Sequence, residues 1–155
     1  MKRLLIVFAA TLMSCTSTPS QKLSGMQKNA ELLASESQGG TDEVSFRIIK
    51  DEKDFRNSIR GSFGLIEIGT ESLVKYPAFP KDKKVVLYNQ GSFRSGSHRI
   101  TEIKSVSVKN QVLYVEVPAE EPSGGMEIQV ISNPWFIFTV PSDYQFNSVE
   151  LKYSK

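Results

Sequence analysis

Few side chains in this sequence could take part in nucleophilic, acid–base or metal chemistry. Cys15 is the only cysteine and His98 the only histidine. A Ser-His-acid triad therefore has one possible centre, which the hydrophobic pattern places at the start of a strand rather than in a cleft. Glu120 and Glu121 are adjacent, so in an extended segment their carboxylates point to opposite sides, which is poor geometry for shared acid and base work. With one His and one Cys, no metal site with several such ligands can be assembled. The sequence predicts a protein that is not an enzyme and uses no cofactor or metal.

Cys15 belongs to an export motif. Lys2 and Arg3 precede an apolar run, residues 4–12, that is too short to span a bilayer as a helix. The following string, LMSC, resembles the lipobox of bacterial lipoprotein signals. This resemblance implies that residues 1–14 are removed and that Cys15 becomes the lipid-modified first residue of a protein in the cell envelope. Thr16 stands where an Asp would be the usual inner-membrane retention signal, so the resemblance implies the outer membrane where the cell has one. The alternative is an ordinary secretory signal with an incidental cysteine.

The charge balance argues against nucleic acid as a partner. The chain has 19 basic and 17 acidic residues, and removal of Lys2 and Arg3 with the signal leaves 17 of each. No basic excess remains to neutralise phosphates. Residues 15–42 are rich in Ser, Thr, Gln and Gly, and this composition predicts a flexible tether, with one or two helical turns in residues 26–34.

The remaining residues, 43–155, predict one β domain with a single short helix. Val44, Phe46 and Ile48 alternate as in a half-buried strand, and Asp51 is a helix N-cap with Phe55 and Ile59 on one face. Further strands are predicted at residues 65–68, 85–88, 98–108 (with a β-bulge near Ile103), 113–117, 126–130 and, at an edge, 149–151. A tight turn at residues 109–111 joins strands 98–108 and 113–117 into a hairpin. The segment WFIFTVP, residues 135–141, predicts a strand buried on both faces. The fold class is an antiparallel β-sandwich or partly open barrel.

Part of this pattern resembles the C-terminal domain of the PrcB family, bacterial lipoproteins described as protease-complex subunits. The matching stretches are VVLYNQG, FRSGSH, the pair ITEIKSVSV and LYVEV, EPSGGM, and NPWFIFTVP, which run from about residue 78 to 141. The family turn has Pro, Thr, Gly, Gly, Tyr where this chain has Arg94, Ser95, Gly96, Ser97 and His98. The resemblance implies a membrane-anchored, non-enzymatic protein that binds an exported protease or its complex and stabilises, assembles or localises it.

The loops of the β domain are the predicted binding surface. If they lie at one end of the sandwich, they form a composite surface suited to a protein or peptide. Trp135, the only tryptophan, is either a core residue or an exposed anchor, and its apolar surroundings favour the core. The predicted partner-binding residues are Phe93, Arg94, Ser95, Gly96, Ser97, His98, Pro122, Gly124, Gly125, Asn133, Pro134 and Trp135.

Two other functions stay open at this point. Chagasin-like inhibitors of cysteine proteases present three loops in one row, and the loops at 91–98, 122–126 and 133–135 occur in the same order here. That resemblance implies protease inhibition. The third possibility is a structural envelope lipoprotein without a specific partner. An inhibitor lowers the activity of an added protease, whereas an assembly factor raises the abundance of its partner.

Overall fold

A computed structural model describes residues 29–59, 77–119 and 130–155. Within these residues the protein is mainly β, with seven strands in two sheets and one short helix, and no closed barrel is formed. The larger sheet has the order β1-β6-β3-β2 and the smaller sheet β4-β5-β7. In chain order the elements are β1 (Glu31–Glu36), β2 (Val44–Ile49), α1 (Glu52–Ile59), β3 (Lys83–Gln90), β4 (Ser105–Lys109), β5 (Val112–Pro118), β6 (Trp135–Pro141) and β7 (Ser148–Ser154). This confirms the predicted β-sandwich-like fold.

Strand β6 lies inside the larger sheet, between β1 and β3, and is covered on both faces. Phe136, Phe138 and Val140 face the smaller sheet and belong to a core that also contains Leu113, Val115 and Val117 of β5. Trp135 and Ile137 face the opposite way, toward the helix. Every residue of β6 except the last is buried, which confirms the prediction made from WFIFTVP.

Helix α1 covers the outer face of the larger sheet. Its first turn is capped by Asp51, whose Oδ1 accepts a hydrogen bond from the Asp54 N–H at 2.8 Å. Phe55 and Ile59 are buried on its inner side, as their spacing predicts. Arg47 of β2 donates to Asp54 at 2.7 Å, which fixes the helix against the edge strand.

The smaller sheet contains the predicted hairpin and one unexpected pairing. Asn110 and Gln111 join β4 to β5 with φ of 52° and 63°, the conformation of a type I′ turn. Strand β7 was predicted as an edge strand and is one, but it pairs with β5 in parallel. A hydrophobic pattern does not encode strand direction, so this pairing had no signal in the sequence.

The predicted tether over residues 15–42 is wrong for its last part. Residues Glu31–Glu36 form strand β1, which pairs with β6. The segment ELLASE is built from residues that favour helices locally, and tertiary pairing overrides that preference. A register shift between Leu32 and Ala34 also breaks the alternation by which a strand is recognised.

The long strand predicted over residues 98–108 is also wrong, because the strand β4 comprises only Ser105–Lys109. His98 has φ of 47°, which interrupts a strand. The segment that follows connects the two sheets and buries Ile100 and Ile103, which explains why their spacing is out of phase. The strand predicted at 65–68 and most of the one predicted at 126–130 lie outside the described residues. The described residues contain only one helix, α1, and its eight residues are too few to span a bilayer.

Candidate functional site

Three loops meet at one end of the larger sheet. They are residues 37–43 between β1 and β2, residues 91–98 after β3, and residues 130–134 before β6; together they are called the three-loop end below. Gly40 N–H donates to the Asn133 carbonyl at 2.8 Å. Phe93 and Ser132 exchange two backbone hydrogen bonds, each 2.9 Å long. Backbone pairing therefore joins the loop before β6 to each of the other two.

A polar side-chain network reinforces this contact. Asp42 Oδ1 accepts hydrogen bonds from Ser92 Oγ and from Asn133 Nδ2, both at 2.9 Å. Asn133 Nδ2 also donates to Ser92 Oγ at 2.7 Å. One carboxylate from the first loop thus holds a hydroxyl of the second and an amide of the third.

The FRSGSH turn is fixed by its own side chains. The rings of Phe93 and His98 stack with their centroids 3.9 Å apart. His98 Nε2 lies 2.6 Å from the Ser95 carbonyl oxygen, and because a carbonyl can only accept, the ring nitrogen donates. Ser132 Oγ donates to the Gly96 carbonyl at 3.2 Å. The turn is thereby held in one conformation, and Arg94 is exposed at its tip.

Trp135 is a core residue, which settles the two alternatives left by the sequence. Its side chain is 4% exposed and its indole N–H donates to the Gln38 carbonyl at 2.9 Å. Pro134 is buried as well. Pro134 and Trp135 are buried beneath the three-loop end, so neither side chain is accessible to a partner. An inhibitor loop that inserts Trp135 into a protease would first have to expose it.

Apolar side chains are exposed at the same end. Ile131 is 66% exposed, Val44 62% and Val130 50%. Val44 is the first residue of β2 and packs beside Gly91, so it borders the second loop. Among the described residues only Ile48 and Tyr153 are comparably exposed large hydrophobics elsewhere.

The structure brings together part of the predicted binding set. Residues 93–98 and Asn133 lie at the three-loop end, and Pro134 and Trp135 lie beneath it. Pro122, Gly124 and Gly125 lie outside the described residues, as does Cys15. Ala119, the last described residue of its segment, lines a pocket together with Ser97 and His98 and so lies beside the FRSGSH turn.

The sequence prediction misses the loop of residues 37–43 because its composition matches that of a flexible tether. Its signal in the sequence was the pair Gly39 and Gly40 followed by Asp42, a turn rather than a linker. The structure explains why residue 40 is glycine, because a Cβ there would lie 2.6 Å from the Asn133 carbonyl oxygen. Close approach of the two loops therefore requires glycine at this position.

The described residues contain no group of three or more His, Cys, Asp or Glu side chains that could hold a metal ion. Comparison with protein-family models, with curated proteins and with solved structures found no match for this chain. The PrcB resemblance therefore depends on the motifs quoted above alone.

Proposed function

We propose that this protein is a non-enzymatic envelope lipoprotein, anchored through Cys15, that binds an exported protease or its complex through the three-loop end. Binding would stabilise, assemble or localise that partner. The anchor follows from the LMSC motif, and the class of partner follows from the PrcB resemblance.

The observation that carries the proposal is a preorganised surface with exposed apolar side chains. The hydrogen bonds of Asp42 and the bridge between Phe93 and Ser132 order the loops before any partner arrives. Little conformational entropy then remains to be lost on binding. Ile131, Val130 and Val44 supply apolar area, and exposed apolar side chains rimmed by polar ones are typical of protein-binding surfaces.

The non-enzymatic part of the proposal is supported by the environment of His98. Its ring is stacked on Phe93 and its Nε2 is directed at the Ser95 carbonyl. A histidine used in this way holds a turn together. Arg94, at the tip of that turn, offers a charge for the rim of an interface.

The test uses the lipidated, tagged protein captured from crosslinked membranes of its native cells. Ile131→Lys places a charge on the proposed surface. Ile48→Lys makes the same change on an exposed isoleucine, 39% accessible, near the other end of β2. We expect the wild type and Ile48→Lys to recover an exported protease, and the purified pair to bind at least about tenfold more weakly with Ile131→Lys.

Three results would contradict the proposal: equal recovery by both variants, recovery of no exported protease by a folded and lipidated protein, or a protease whose activity falls when the purified protein is added. The last result would support the inhibitor instead. Partner abundance in cells that lack the protein provides the second readout, and we expect it to fall.

A further inference from the structure

A pocket of about 260 Å³ opens at the mouth of the sandwich. It lies where β3 ends in the larger sheet and where β5 and β7 end in the smaller sheet, with residues 97–101 between them. It adjoins the three-loop end through Ser97 and His98. The rest of its wall is formed by Gln90, Arg99, Ile100, Thr101, Pro118, Ala119 and Tyr153.

Gln90 occupies a position in β3 at which the alternating pattern of core-facing residues predicts an apolar side chain. Val86 and Tyr88 face the core between the two sheets, and alternation directs Gln90 the same way. Gln90 is 6% exposed. Its Nε2 donates to the His98 carbonyl at 2.9 Å, which fixes the orientation of the amide. Its Oε1 is buried, and no described residue provides it with a hydrogen-bond partner.

An unpaired buried carbonyl oxygen is costly, and native proteins rarely keep one without a reason. The His98 carbonyl engages one N–H of Nε2, whereas Oε1 receives no hydrogen bond from any described residue. A ligand that pairs with Oε1 must therefore be a donor. Arg99 lines the pocket, and its positive charge disfavours a cationic donor. Ile100, Pro118 and Ala119 provide apolar walls, which suit the flat, partly apolar face of an amide.

We propose that this pocket binds a peptide amide, whose N–H donates to Gln90 Oε1. The inference rests on the proposed function for the source of the amide, an extended segment of the partner protein. The chemistry of the pocket is independent of which partner supplies that segment. The site would add a hydrogen bond beside the apolar contacts of the three-loop end.

The test is titration of isotope-labelled protein by NMR with small probes that differ in one property. N-methylacetamide carries the peptide N–H; methyl acetate has nearly the same shape without it; propan-2-ol offers a hydroxyl donor. We expect saturable shifts at the Gln90 side-chain amide, Thr101 and Ala119 with N-methylacetamide. We expect affinity about tenfold lower for methyl acetate, which lacks the donor. We also expect lower affinity for propan-2-ol, which keeps a donor but lacks the flat face of an amide.

Gln90→Met keeps the length of the side chain and removes the acceptor. We expect this variant to bind N-methylacetamide about tenfold more weakly than the wild type does. Gln145→Met, at an exposed glutamine, is the matched control. Equal binding of all three probes, no binding, or unchanged binding to Gln90→Met would overturn the proposal. The three probes are compared on the wild-type protein, so this part of the test does not depend on whether a variant folds. Capture of the protease can fail while N-methylacetamide still binds, so the two proposals fail separately.

Discussion

The Asp42 carboxylate accepts a hydrogen bond from the Asn133 amide at 2.9 Å, across 91 residues of the chain. This contact ties the loop before β2 to the loop before β6. It is exposed to solvent, so its contribution to global stability is small compared with its effect on the order of the loops.

Replacement of Asp42 by alanine should therefore loosen the three-loop end. We expect amide hydrogen exchange in residues 91–98 and 130–134 to rise at least severalfold, while the free energy of unfolding falls by only about 1 kcal/mol. Asp42→Asn retains an acceptor oxygen and should restore most of the protection. Unchanged exchange in Asp42→Ala would mean that the backbone hydrogen bonds alone order the loops.

Strand β1 should be necessary for a stable domain. A chain that begins at residue 43, the boundary predicted from composition, would uncover one edge of β6 and remove Ala34 from the core around Trp135. We expect this chain to aggregate or to have a markedly lower midpoint of thermal unfolding than one that begins at residue 29. Circular dichroism on the two purified chains measures the difference, and equal midpoints would show β1 to be dispensable.

Gly96 should resist substitution because of its backbone conformation. Its φ is 79°, and a Cβ there would lie 3.2 Å from His98 Nε2. We expect Gly96→Ala to cost about 1–2 kcal/mol of unfolding free energy, and Gly96→Asn to cost less because asparagine tolerates this conformation better. Urea denaturation of the two variants tests the order, and a reversed order would contradict the strain argument.

Burial of Tyr88 should make the protein sensitive to alkaline pH. Burial raises the pKa of the Tyr88 hydroxyl above its ordinary value of about 10, and charge interactions with Tyr153 and Glu150 add to the rise. The stabilisation by the neutral form is full below the unfolded-state pKa and is lost as pH increases through the folded-state pKa.

The wild type should therefore lose stability above about pH 10, and Tyr88→Phe should lose less over the same range. Urea denaturation at pH 8, 10 and 11 provides the comparison. Tyr114→Phe, on a half-exposed tyrosine of β5, is the control variant. Parallel pH profiles for the wild type and Tyr88→Phe would exclude Tyr88 as the source of the effect.

The sequence predicted those elements of the fold that are determined by residues close to one another in the chain. The apolar run of β6, the Asp51 cap with Phe55 and Ile59, and the turn at Asn110 each depend on a few neighbouring residues, and each is found as expected. The order of strands in a sheet has no such local signal. Strand β1 was missed because its place beside β6 is set by a strand more than one hundred residues away.

The same limit applies to the candidate site. The residues of FRSGSH and Asn133 were found by motif and by composition, but their meeting depends on the sheet order β1-β6-β3-β2. Gln90 was missed because one polar residue at the end of an apolar strand is indistinguishable from the start of a turn. Only its buried, unpaired oxygen reveals it.

The pairing of β1 with β6 also means that β1 is synthesised well before the strand with which it pairs. A ribosome or translocon releases the chain from its amino terminus, so Glu31 emerges long before its partner Thr139. Until residues 135–141 have been made, β1 has no neighbour in the sheet, and the larger sheet lacks one of its two central strands. The edge of β1 therefore stays unpaired during most of synthesis, and an unpaired strand edge favours aggregation before folding is complete.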